Sequence, residues 1–267
     1  RQRISYFFLS KRLNICRSQA GPILVSGLRA LRERSLSKRR RVQMAGFRTL
    51  LSGAVEEDEG MIPLLVATRN IHKTEEIASI LGEGYQVSDL TTLPGAPDVE
   101  ETGSTFLENA GLKAVAISSV PGSLVLADDS GLEVDALEGR PGVYSARYAG
   151  LESKDSDNNI KLLSELDGVG ENRRTARFRC VMVLAEAGEI LEDFSGSVEG
   201  RILEKPRGDA GFGYDPLFVP GGERKSFAEL GPDIKNGLSH RARAMEEVSV
   251  WLWHRHGGIP GASLDKE

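Results

Sequence analysis

The chain has 267 residues, enough for one large domain or two small ones, of which 40% are hydrophobic and 27% charged. Its net charge of −5 hides a segregation: residues 1–48 hold 13 Lys and Arg against the single acid Glu33, leaving 21 basic and 38 acidic residues in the body. An acidic body argues against a nucleic-acid-binding surface, the lack of an 18-residue apolar run argues against a membrane-spanning helix, and two distant cysteines, Cys16 and Cys180, argue against a secreted disulfide framework.

The basic leader, residues 1–60, carries Lys38-Arg39-Arg40-Arg41 and several serines. Two readings fit it. One is an organellar targeting presequence; the other, favoured here, is translated sequence ahead of a native start at Met44 or Met61. The working domain is expected over 61–256, in the cytoplasm, with a loose tail over 257–267 marked by Gly257-Gly258 and Pro260-Gly261.

Ile62 to Ala67 reads as the first core strand. It hands over through Thr68, Asn70 and Lys73 to a helix whose apolar positions are Ile77, Ala78, Ile80 and Leu81, stopped by Gly82. A strand-to-helix corner with an ammonium group suits phosphate oxygens, although the P-loop glycine spacing is missing. Leu90 to Asp98 reads as a connector. Thr105 and Glu108 then have capping-box spacing before a helix that puts Asn109 and Lys113 on one face.

After the Pro121-Gly122 turn signal, Ser123 to Leu126 reads as a buried strand that ends at Ala127-Asp128-Asp129-Ser130-Gly131. Successive side chains alternate, so the two carboxylates face opposite ways. One reading of this segment is a solvated turn; the other is a catalytic acid pair. Tyr144 to Tyr148 is a polar-aromatic stretch in which Arg147 suits a phosphate or a surface ion pair equally. A short helix is expected over Asn159 to Leu166. Alternation of Ala176, Phe178, Cys180, Met182 and Leu184, then Gly188, then Ile190 to Val198, predicts an antiparallel strand pair and so a mixed sheet. Phe212-Gly213-Tyr214-Asp215-Pro216 follows a Pro- and Gly-rich loop; Ser226 and Glu229 repeat the capping-box spacing, and Ser239-His240-Arg241 opens a terminal helix.

The polar residues make a coherent inventory. Glu101, Asp128 and Asp129 can hold a hard divalent cation. Asn70, Lys73, Lys113, Arg147 and Lys235 can receive phosphates. Phe212 can stack on a planar base while Asp215, His240 and Arg241 inspect its polar edge.

Five ordered segments carry a resemblance: Ala67 to Lys73, Glu100 to Ala110, Leu126 to Leu132, Gly211 to Pro216, and Ser239-His240-Arg241. Together, over Ile62 to Trp253, they resemble the inosine triphosphate pyrophosphatase family. The resemblance implies an α/β fold with an elongated twisted mixed sheet, flanking helices and two lobes around a central nucleotide cleft. It implies Mg²⁺-dependent homodimers that hydrolyse ITP, dITP and XTP to the monophosphate and pyrophosphate. Carried onto this chain, Thr68, Asn70 and Lys73 correspond to the phosphate corner. Glu101 and Asp129 correspond to the metal carboxylates, with Asp129 also the general base and Asp128 holding the alternative role of fixing a metal-bound water. Ser130, Lys113 and Arg147 line the triphosphate. Phe212, Gly213, Tyr214, Asp215, Lys235, Ser239, His240 and Arg241 form the base and substrate contacts; Tyr214 stands where some members have tryptophan. Two other readings are a pyrophosphatase with a different base preference and a catalytically silent nucleotide-binding protein.

Overall fold

The computed structural model describes residues 61–119 and 124–257. The leader with Cys16, the Pro121-Gly122 turn and the tail beyond Gly257 lie outside the described residues.

Six strands form one sheet: β1 (Ile62–Val66), β2 (Tyr85–Asp89), β3 (Leu124–Val134), β4 (Thr175–Glu186), β5 (Glu189–Ile202) and β6 (Phe218–Pro220). Their order is β2-β1-β3-β4-β5-β6. β1 runs parallel to β2 and β3, and the remaining neighbours are antiparallel, so the sheet is mixed as expected. The helices are α1 (Ile71–Leu81), α2 (Phe106–Ser118), α3 (Asp155–Glu165), α4 (Phe227–Leu230), α5 (Pro232–Leu238) and α6 (His240–His256).

Local chemistry sets most helix starts. Asn70 Oδ1 accepts from the His72 amide, Thr105 Oγ1 from Glu108 and Ser239 Oγ from Ala242. Ser226 and Glu229 complete a two-armed capping box. Glu108 makes only a variant of one: its carboxylate accepts from Ser104, one residue early.

One face of the β3–β4–β5 ladder carries two hydrophobic cores end to end. Leu124 and Leu126, Met182 and Leu184, and Phe194 join Leu64, Ile77, Met245 and Leu252 in the first. Leu132 and Val134, Ala176 and Phe178, and Val198 join Leu162, Leu217, Phe218 and Phe227 in the second. Between them, on the same face of β3, lie Asp128 and Ser130. The acid pair is therefore not at a strand end. β3 continues through it for five more residues, paired to β4 from Leu124↔Glu186 to Val134↔Ala176. The ladder satisfies the backbone, and partners from distant helices satisfy the carboxylates.

Two glycines let helix and loop approach this region. A Cβ on Gly131 would lie 2.6 Å from Ser145 Oγ and collide with the Gly142 carbonyl. One on Gly196 would lie 2.6 Å from the Ala244 amide, so α6 sits directly on β5.

Candidate active site

Adjacent residues on a strand face opposite ways, and here the two faces carry different partners. On the face shared with the cores, Asp128 is fully buried. Lys73 Nζ, from α1, reaches its Oδ1 and Oδ2 at 3.1 and 3.0 Å, and Arg241 Nη2, from α6, donates to Oδ2 at 3.1 Å. Ser130 Oγ donates to the same oxygen and accepts from Arg241. Burial alone would raise this carboxyl, but Lys73 and Arg241 hold it far below the usual carboxylate range. It is a fixed anion.

Asp129 meets α2 instead. Asn109 Nδ2 donates to its Oδ2 at 3.0 Å, and its Oδ1 accepts from the Ser130 amide. Burial, aided by repulsion from Glu101 and opposed by Lys113, pushes its carboxyl up to about 6. Lys113 Nζ bridges Glu101 Oε1 at 2.7 Å and the Asp128 carbonyl at 2.6 Å. Burial disfavours the charged lysine, yet the carboxylates around it raise its pKa. Arg147 reaches Glu101 at 3.4 Å. Glu101 itself is held below its ordinary value: burial opposes this, and Lys113 overcomes it. The i,i+4 pair Asn109–Lys113 thus delivers an amide to Asp129 and an ammonium to Glu101.

A buried ionic chain extends from Asp128 toward the Phe212 loop. Arg241 pairs with Glu76; Glu76 pairs with Lys235 Nζ at 2.8 Å; Lys235 pairs with Asp215 at 2.6 Å. Burial would raise Glu76, but Arg241 and Lys235 bring it below its ordinary value; burial raises Asp215 despite Lys235. Glu76 is the residue that sequence reasoning missed. Its signal was its place three residues after Lys73 on α1, hence on the same helical face. Lys235 Nζ lies 4.3 Å from the Phe212 ring centroid. The loop is pinned from α3, where Asp155 accepts from the Gly213 amide and Asn159 donates to its carbonyl.

The expected residues thus form three groups: Lys73, Asp128, Ser130 and Arg241; Glu101, Lys113, Asp129 and Arg147; Phe212, Asp215 and Lys235. Others bond into the surrounding fold. Thr68 Oγ1 accepts from the Asn70 amide, and Asn70 and Ser239 cap helices. Tyr214 is buried, its hydroxyl donating to the Ser145 carbonyl. His240 is buried in a stack on Phe178, centroids 4.9 Å apart, its Nδ1 without a partner; burial and then Arg241 keep its pKa well below the ordinary histidine value. Both Arg241 Nη atoms are engaged by oxygen acceptors, Glu76 on one and Asp128 and Ser130 on the other, and Nε has no partner. Among the described residues no three His, Cys, Asp or Glu side chains converge as a metal cluster.

A sequence profile of the Ham1 family matches residues 64–251. The chain is 51% identical over 186 residues to a dITP/XTP pyrophosphatase of Desulforamulus reducens, covering 69% of this chain and 92% of that one. It is 48% identical over 189 residues to a dITP/XTP pyrophosphatase of Bacillus subtilis, covering 70% and 96%. The solved Ham1 protein of Staphylococcus aureus is similar at 39% identity and a TM-score of 0.65, over 73% of this chain and 100% of that one.

Proposed function

Because the chain belongs to the Ham1 family, we propose that it hydrolyses the non-standard purine nucleoside triphosphates ITP, dITP and XTP to the monophosphate and pyrophosphate. The observation that carries the chemistry is the placement of the Asp129 carboxyl: buried, oriented by Asn109, and facing Glu101 with no cation in direct contact, so that burial raises its pKa in the metal-free site. Asp129 takes a proton from water as the water oxygen bonds to the α-phosphorus. The bond from that phosphorus to the α–β bridging oxygen breaks, and pyrophosphate leaves with the electron pair. Lys73 and Lys113 offset charge on the phosphates. Asp128, already neutralised by Lys73 and Arg241, orients those cations and does not act as a base.

Glu101 and Asp129 would hold Mg²⁺. The donor set fits: both are hard carboxylates, and their mutual repulsion is part of what raises Asp129. Two protein carboxylates completed by phosphate and water oxygens is the pattern magnesium takes. Bound there, it supplies charge neutralisation and polarisation of the scissile phosphate. On the base side, Phe212 offers a ring, and Asp215, Lys235, His240 and Arg241 offer polar groups. The working unit is a homodimer, a reading supported by the family resemblance. The domain boundary at residue 61 is supported by the profile match beginning at residue 64.

Incubation with Mg²⁺ and ITP, XTP, ATP or GTP in parallel tests the reading. Pyrophosphate should accumulate with ITP and XTP far faster than with ATP or GTP. Release of orthophosphate overturns the site of cleavage, equal rates overturn the base preference, and no turnover at all makes the chain a binding protein.

A further inference from the structure

We propose that His72 is the second wall of the base slot, stacking on the nucleobase face that Phe212 leaves uncovered. The inference rests on the triphosphate reading above. The His72 and Phe212 rings already lie nearly parallel, 15° apart with centroids separated by 5.6 Å. Lys235 and Arg241 also approach the Phe212 ring, at 4.3 and 5.9 Å from its centroid. Those two cations are buried and pinned. Lys235 is held by Asp215 and Glu76, and Arg241 by Glu76 and Asp128. His72 is not: its side chain is 59% exposed, and the nearest carboxylate, the exposed Glu75, is 3.6 Å away. Of the three groups against the Phe212 ring, it is the one that can retreat without breaking a buried pair.

Its backbone stays fixed while the ring moves, because the His72 amide donates to the capping Asn70. The next residue is Lys73, whose ammonium sits on Asp128. One helical turn therefore presents a ring toward Phe212 and a cation toward the acid pair. A flat base entering between the two rings exchanges one ring–ring contact for two, and stacking on an aromatic side chain strengthens binding whatever the base's hydrogen-bonding edge. His72 is thus a positioning residue for the base, indifferent to its identity.

The test compares wild type, His72→Ala and His72→Phe with ITP and with ribose 5-triphosphate, which has no base. His72→Ala should raise KM for ITP about tenfold with kcat nearly unchanged, His72→Phe should restore it, and KM for ribose 5-triphosphate should not move. Calorimetric binding of inosine monophosphate should weaken in step for His72→Ala alone, and this arm holds even for a chain that turns nothing over. An unchanged or lowered KM for ITP overturns the proposal, as does an equal rise for the base-free substrate, which would put His72 on the phosphates. Inosine monophosphate bound equally by wild type and His72→Ala, or by neither, also overturns it. Failure of the functional reading is separate, since it is read from wild type with ITP alone.

Discussion

Asp128 and Asp129 share a peptide bond, and the two faces of β3 treat them oppositely. Two cations in direct contact keep the first ionised; the second has an amide for its nearest partner and an acid, Glu101, across its pocket. Burial penalises both charges alike, so their divergence comes from what each face brings within reach. Asp128 is an anion neutralised in place, and Asp129 is a carboxyl left short of counter-charge. The proposal that Asp129 is the base and Asp128 its support rests on that difference.

The largest expected effect is on Asp129. Asp129→Asn should cut turnover roughly 10²–10⁴-fold, because proton acceptance is lost with little change in volume. It should also stabilise the unliganded fold. A folded pKa raised from 3.8 to about 6 means the native state holds its proton more tightly than the unfolded chain. That contribution is full below about pH 4 and is lost as pH rises through 6. Asparagine removes the loss, so urea denaturation at pH 8 should show a gain on the order of 2 kcal/mol that vanishes near pH 4. A destabilised D129N at pH 8 breaks the comparison.

Asp128→Asn should behave in the reverse sense. Its folded pKa is depressed, so its stabilisation is present at neutral pH and fades as pH falls below the ordinary aspartate range. Leaving Lys73 and Arg241 with a neutral partner should cost about 3–5 kcal/mol at pH 7, measured by the same denaturation. Gly131→Ala should cost about 1–3 kcal/mol, because its Cβ would press on Ser145 and the Gly142 carbonyl beside the acid pair. Lys113→Met removes a cation that lowers the Asp129 pKa, so in the metal-free protein the Asp129 carboxyl should titrate at higher pH than in wild type, read by carboxyl NMR. The smallest effect belongs farther along the Asp129 face. There Arg177, paired with Glu199 and Asp135 in contact with water, should lose less than about 1 kcal/mol on mutation to Ala.

Helix starts were legible because a cap is local: Thr105, Ser226 and Ser239 announce themselves within three residues. The antiparallel β4–β5 pair was legible through its alternation and Gly188. The continuation of β3 was not, because Asp128 and Asp129 look like a strand end until Lys73, Asn109 and Arg241 arrive from far away in sequence. β2 had no signal either: Tyr85-Gln86-Val87-Ser88-Asp89 mixes polarity, and its pairing with β1 decides it. The five motifs marked the candidate residues, and the structure separated those gathered around the acid pair and Phe212 from those bonded into the surrounding fold. Tyr214 and Ser239 fall in the second class, and Glu76, outside every motif, joins the network between the acid pair and Phe212.

The course of β3, β4 and β5 through both hydrophobic cores, broken in register only by a bulge at Leu184/Ala185 between β4 and β5, has a mechanical consequence. The strands act as a beam, and the acid pair sits at midspan. Neither core can detach while the ladder is intact, so both should melt in one cooperative transition, and room beside the acid pair can be made only by flexing the beam or by moving side chains above it. Bending stress on a beam peaks between its anchored ends. There Gly131 and Gly196 leave opposite faces of the sheet bare of side chains, and the 142–147 segment and α6 press against the strands directly as braces, one on each face.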